Sequence, residues 1–192
     1  GTLFLASMEG KLVVVDVAQR SRLRADIPLE VSRPGGAGCG QPSSVVAVYG
    51  TPAVSGNVVY VGGYDGRIHV ISLGSDNTSS WVYPAERSLQ PIVGGLVLSQ
   101  RKLYFGDASG KLYALDTVSR QLNWEFATGD KIWSTPAIDG DTLYIGSFDK
   151  KLYAVDTNGG RKKWELATDG AIITPPLVAG DTVYVGSFDR HV

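Results

Sequence analysis

Short runs in which apolar and polar residues alternate recur along the whole chain: "TLFLAS" then "GKLVVVD", "VVYVGG" then "GRIHVIS", "KLYFGD" then "GKLYALD", "TLYIGS" then "KKLYAVD". A period of two interrupted by Gly, Asp and Ser predicts β-hairpins, not helices. The hairpin aromatics Phe4, Tyr60, Tyr104, Tyr144 and Tyr184 lie 56, 44, 40 and 40 residues apart. A third strand follows at "SSWVYP", "LNWEFAT" and "KKWELAT", and a fourth at "VVAVYGTPAV", "KIWSTPAID" and "AIITPPLVA". Four short strands in about forty residues describe one blade of a propeller.

The predicted fold is therefore all-β, a β-propeller of four-stranded antiparallel blades. It holds about 4.5 repeats, over residues 1–44, 45–88, 89–129, 130–169 and, incomplete, 170–192. With strand positions lettered A to D from the ring axis outward, the chain opens on B of a first blade, passes through three complete blades and closes with A and B of a fifth. A four-bladed ring would leave Val183 to Phe188 redundant, and an open arc would expose apolar edges that natural proteins avoid. The expectation is an arc of a seven- or eight-bladed ring, because repeat units need neighbours on both sides. The remainder would come from sequence outside this chain or from another chain.

Composition narrows the function classes. At 192 residues and 43% hydrophobic content the chain can build a core. Eighteen basic and nineteen acidic residues give a net charge of -1, and Arg161, Lys162 and Lys163 form the longest basic run. Nucleic acid is excluded as the expected partner. Apolar runs such as Leu12 to Val15 and Ile92 to Leu98 fall short of a membrane span, and no basic-then-apolar leader opens the sequence. The expectation is a soluble chain, already processed or excised. One cysteine, Cys39, excludes an internal disulfide and a cysteine-based zinc cluster.

The runs Ala114 to Trp124 and Ala154 to Trp164 resemble the tryptophan-docking repeat of the PQQ-type, quinoprotein dehydrogenase-like β-propellers, whose usual form is A-x-D-x-x-T-G-x-x-x-W. The second run keeps Gly160 but has Gly159 in place of Thr, and the first has Ser119 and Arg120. The copy around Trp81 is one residue longer, with Val70 and Ser72 in place of Ala and Asp, and the first copy has no Trp. The resemblance spans essentially the whole chain, most closely from Leu103 onward. It implies that Ala114, Trp124, Ala154, Trp164 and Trp81 are structural docking residues. A flat indole on the outer strand lies against the neighbouring blade's backbone, where a small residue such as Ala leaves room.

The same family contains dehydrogenases that hold pyrroloquinoline quinone and calcium at the ring axis, often on a disulfide between adjacent cysteines. This sequence has no adjacent cysteines, and its carboxylates recur at equivalent turn positions: Asp65, Asp149 and Asp189 in the B–C turn, Asp16, Asp116 and Asp156 at the end of strand C. Such aspartates are expected to accept backbone N–H groups in turns. No cofactor is expected, with PQQ and calcium entering only if the chain is a piece of an alcohol or sugar dehydrogenase. His69 and His191 have no nucleophile in an identifiable relation to them, so no triad is proposed. Asn77-Thr78-Ser79 is a glycosylation sequon, and "DGD" at Asp139 to Asp141 is a two-residue hairpin turn rather than a calcium loop.

What remains is a surface. D–A loops and B–C turns share one end of a propeller, and there the sequence places Met8, Tyr64, Ala108, Phe148 and Phe188 with Lys131, Trp133, Lys150, Lys151 and Arg190. Tyr64, Lys131, Trp133, Phe148, Lys150, Phe188 and Arg190 form the candidate partner-binding rim, suited to an extended peptide or a partner subunit. Aromatic tips that turn inward and pack between blades are the alternative. Trp133 has Ile173 as its counterpart, so the repeat does not require it. A sixteen-residue excess within "RLRADIPLEVSRPGGAGCGQPSS" predicts a long loop between blades carrying Cys39, either functional or a tolerated insertion.

The resemblance is closest in style to the non-enzymatic propeller lipoproteins of outer-membrane β-barrel assembly. It implies a non-catalytic, extracytoplasmic scaffold that binds proteins. A quinone-dependent dehydrogenase fragment and a sensor ectodomain are the other expectations.

Overall fold

The computed structural model describes residues 1–29, 46–74, 78–86 and 88–190, all of its regular structure being β. The first sheet holds β1 (Thr2–Ala6) and β2 (Lys11–Asp16), with β3 (Ser21–Arg22) and β4 (Ile27–Pro28) both pairing with β2. The second runs β5 (Ala53–Ser55), β6 (Val58–Gly62), β7 (Ile68–Leu73), β8 (Thr78–Tyr83). The third runs β9 (Val97–Ser99), β10 (Lys102–Gly106), β11 (Lys111–Asp116), β12 (Leu122–Ala127). The fourth runs β13 (Ala137–Asp139), β14 (Thr142–Gly146), β15 (Lys151–Asp156), β16 (Lys162–Ala167), and the fifth holds β17 (Leu177–Ala179) and β18 (Thr182–Tyr184). Every pairing is antiparallel between neighbours in sequence, with β3 and β4 together serving as the outer strand of the first sheet. These are the four-stranded blades of the predicted propeller.

The strands differ from the expected alternation in one respect. In β6, β7, β10 and β11 nearly every side chain is buried, because each middle strand feeds two cores instead of one core and solvent. Val59, Val61 and Ile71 join Leu12 and Val14 between the first two sheets. Tyr60, Ile68 and Val70 of the same strands join Leu103, Phe105, Tyr113 and Leu115 between the second and third. Tyr104, Leu112 and Ala114 then join Leu143, Ile145 and Val155 between the third and fourth. Period-two geometry sends successive side chains to opposite faces, and a sheet covered on both faces reads as a continuous apolar run. Each fully buried Leu, Ile or Phe stabilises by about 1.5–3 kcal/mol.

The long-loop expectation is corrected at its start. Ile27–Pro28 within that stretch pairs with β2 as part of the outer strand, and Leu29 is buried in the first inter-sheet core. Residues 30–45, with Cys39, lie outside the described residues, as do the Asn77 end of the sequon and His191. The A–B turn at Asp139 to Asp141 is the expected hairpin: Asp139 pairs with Thr142, and Gly140 takes φ +55°. No helix among the described residues is long and apolar enough to cross a membrane.

Candidate partner-binding rim

The B–C turns and D–A loops are tied together at one end of the blades. In each of blades two to five the tip residue's N–H donates to a loop carbonyl of the same repeat: Tyr64 to Ala47 (2.9 Å), Ala108 to Pro91 (2.9 Å), Phe148 to Lys131 (3.0 Å) and Phe188 to Ala171 (3.0 Å). The bond fixes the tip beside the residue two positions along the loop. In blade four that residue is Trp133, whose ring meets Phe148 edge-on at 4.8 Å. In blade two it is Tyr49, which meets Tyr64 in the same way at 5.6 Å. The rings pack on each other at the rim instead of turning inward: Trp133 is 39% exposed and Tyr49 and Tyr64 each 52%.

The structure thus brings Lys131, Trp133, Phe148 and Lys150 together on blade four. Phe188 and Arg190 occupy the corresponding turn of blade five and are exposed, and Tyr64 stands on blade two. Tyr49 is the residue that sequence reasoning missed. Its signal was available, because aligning the loops places Tyr49, Val93, Trp133 and Ile173 at one repeat position.

Hydroxyls and carboxylates beneath the tips brace the crossover from one blade to the next. Ser147 Oγ donates to the Asp130 carbonyl at 2.9 Å, and the Gly129 N–H donates to Asp149 Oδ2 at 2.6 Å. Asp149 also accepts the Tyr153 hydroxyl at 2.6 Å. In blade three Ser and Asp exchange turn positions, yet Asp107 still accepts the equivalent Tyr113 hydroxyl at 3.0 Å. Burial, followed by the adjacent carboxylate, raises both phenols well above the ordinary tyrosine value. His69 stands where the other blades have Tyr113 and Tyr153; it is buried and its Nε2 lies 3.1 Å from Asp65 Oδ2.

At the end of strand C the carboxylates close turns, as the sequence led us to expect. Asp16 accepts the Ala18 and Gln19 N–H groups at 2.8 and 2.9 Å, Asp116 those of Val118 and Ser119 at 2.8 Å, and Asp156 that of Gly159 at 2.8 Å. These backbone donors hold Asp16 and Asp116 below the usual carboxylate range. Among the described residues no group of three or more His, Cys, Asp or Glu is placed to hold a metal ion. The recurring turn aspartates are committed to backbone donors, so among the described residues they do not fit a quinone–calcium centre.

Trp124 and Trp81 make contacts between blades. Ala114 and Ala154 stand opposite Trp124 and Trp164 within one sheet, so the small residue that receives the indole is a different one. Trp124 Nε1 donates to the Thr157 carbonyl of the next blade at 3.1 Å, and a Cβ on Gly160 would lie 2.6 Å from the indole. Arg120, at the turn position matching Gly160, places its guanidinium 4.5 Å from the centre of the Trp81 ring, a cation–π contact. Between that turn and β8 lies an open pocket of about 690 Å³ lined by Trp81, Tyr83, Glu86 and Arg120.

Over residues 1–126 and 108–192 the chain matches the family described as outer membrane protein assembly factor BamB. The outer membrane protein assembly factor BamB of Legionella pneumophila (strain Paris) is 30% identical over 90 residues, 47% of this chain and 22% of that protein. The structure of BamB from Moraxella catarrhalis superposes with a TM-score of 0.74 at 19% identity, covering 97% of this chain and 56% of that one. A computationally designed protein, Ika8, superposes with a TM-score of 0.74 at 16% identity, covering 98% of this chain and 53% of that one. At such identities the superpositions establish the fold. The chain spans 22% of the curated relative and about half of the solved chains. With a family match that runs through all of its blades, the chain belongs to the outer membrane protein assembly factor BamB family of PQQ-like repeat propellers.

Proposed function

We propose that this chain is part of a non-catalytic propeller that binds other proteins during assembly of the outer membrane, and that it works outside the cytoplasm without a cofactor. The observation that carries this reading is the family match over residues 1–126 and 108–192. The proposed contact surface is the rim bearing Tyr64, Lys131, Trp133, Phe148, Lys150, Phe188 and Arg190. Exposed aromatics beside cations are the residue types that dominate protein interfaces. The repeats over 1–44, 45–88, 89–129, 130–169 and 170–192 are its proposed units, and further sequence or another chain supplies the rest of the ring.

Photocrosslinking tests this. A photoreactive amino acid at Phe148, and in a second variant at Val118 in an exposed C–D turn, is introduced into the full-length protein in a Gram-negative envelope. Crosslinks to components of the β-barrel assembly complex from position 148 and not from 118 are expected. Equal crosslinking from both positions overturns the rim assignment, and none to that complex overturns the assembly role. Added PQQ and calcium are expected to produce no heat of binding and no dye reduction with alcohols or aldoses.

A further inference from the structure

Resting on the partner-binding reading, we propose that the tip of the third blade is a socket for one apolar side chain of an acidic, extended partner segment. The socket follows from comparing equivalent positions. Blade two carries Tyr49 and Tyr64 and blade four carries Trp133 and Phe148, each as an edge-on aromatic pair. Blade three has Val93 and Ala108 at those two positions, both half-buried. A pair of small apolar residues therefore falls, in blade order, between two pairs of large rings, of which Tyr49, Tyr64 and Trp133 are exposed and Phe148 is half-buried.

The spacing of the walls is fixed by the backbone. One residue along the loops, Gly50 abuts the Gly94 carbonyl, and a Cβ on Gly94 would lie 2.5 Å from the Ser134 carbonyl. Successive loops thus approach as closely as glycine permits. The Ala108 N–H to Pro91 carbonyl bond, at 2.9 Å, holds the floor in the same way as its neighbours. Val93 and Ala108 offer an aromatic or branched aliphatic side chain an apolar floor.

The charge of the occupant follows from the cations around it. Lys11, Lys111, Lys151, Lys162 and Lys163 each pair with a carboxylate, and Lys102 donates to the Thr157 carbonyl. Among the described lysines, the ammonium groups of Lys131 and Lys150 alone have neither kind of partner, and they stand two residues from Trp133 and Phe148 respectively. The nearby Asp130 accepts its neighbour's backbone N–H, and Asp149 is engaged by Gly129, Lys151 and Tyr153.

Lys150 and Arg190 also occupy a turn position with φ 68° and 70°, where the first three blades use Gly10, Gly66 and Gly110. A left-handed conformation is unfavourable for a residue with a Cβ, and strain retained at a surface turn points to use of the side chain. Two cations beside exposed rings match an occupant with carboxylates flanking its apolar anchor.

The test uses fluorescence anisotropy with a labelled extended peptide, one phenylalanine between paired aspartates. Its lysine-flanked and alanine-centred counterparts serve as comparisons. The aspartate-flanked phenylalanine peptide is expected to bind. Ala108→Trp, which fills the socket from a solvent-facing turn, should weaken it about tenfold or more. The double change Lys131→Glu with Lys150→Glu should reverse the preference toward lysine flanks, and Val118→Asp should change nothing. Thermal melting of each variant separates lost binding from lost folding. Equal binding of both charge forms, or binding indifferent to Ala108→Trp, overturns the proposal. If no peptide binds while the position-148 crosslinks persist, the socket falls and the scaffold stands; if the crosslinks also vanish, the scaffold reading falls with it.

Discussion

The outer strands of the third and fourth blades carry nearly the same text, "LNWEFA" in β12 and "KKWELA" in β16, and meet different fates. Trp124 is 8% exposed and Trp164 is 42% exposed, although each stacks obliquely on its own blade's tyrosine, Tyr104 at 5.8 Å and Tyr144 at 5.7 Å. The turn Asp156–Gly160 lies over Trp124 and accounts for its burial. The within-blade packing of these indoles is thus set locally, while their burial is conferred by the next blade. The tryptophan in this repeat is an interface residue by its position.

The largest effect that could break this comparison is at the tryptophans themselves. Measured on the 192-residue chain by itself, Trp124→Ala should cost about 3–5 kcal/mol, the range for large buried aromatics, whereas Trp164→Ala should cost about 1 kcal/mol because much of its surface is solvated there. Urea unfolding followed by circular dichroism measures both, and equal losses would sink the distinction. Next comes Gly160→Ala, which sets a methyl group against the Trp124 ring and forces φ +67° on a residue with a Cβ. A loss of about 1–3 kcal/mol is expected, and no loss would show that the indole is not clamped there. Lys150→Gly should raise stability by up to about 1 kcal/mol by relieving the left-handed backbone, while weakening partner binding. The smallest effect is at β16's exposed face, where Lys151 and Lys162 hold the Glu165 carboxyl down to about 2. A depressed carboxyl favours the folded state above its ordinary value of 4.5. Its contribution fades as pH falls from there toward about 2. Glu165→Gln should flatten that stretch of the acid denaturation curve, and added salt should mask the difference.

The fold was legible because its unit repeats: five aligned hairpins turn on a shared set of small and acidic residues, and strand order follows directly from hairpin connectivity. The double burial of β6 and β11 was also in view as near-continuous apolar runs, but local alternation at the ends of each strand suggested one wet face. The outer strand of the first blade was hidden because Ile27–Pro28 pairs over two residues only and is surrounded by loop-like composition. On the rim, Trp133 stood out by breaking the repeat. Tyr49 did not, since its role depends on a through-space partner, Tyr64, fifteen residues further along the chain. The receiving surface for Trp124 was invisible for the same reason: a carbonyl at Thr157 and a bare Cα at Gly160 leave no side-chain signature.

Near the axis, Ser134 Oγ donates to the Thr174 carbonyl and the Gly95 N–H to Thr135 Oγ1, each bond spanning forty residues of sequence and no more. These bonds fasten the third sheet to the fourth and the fourth to the fifth. Mechanical tension applied to the two termini would meet a row of separate latches. Extension should proceed one sheet at a time, a unit of about forty residues releasing roughly 130 Å of slack, at about 3.3 Å per residue.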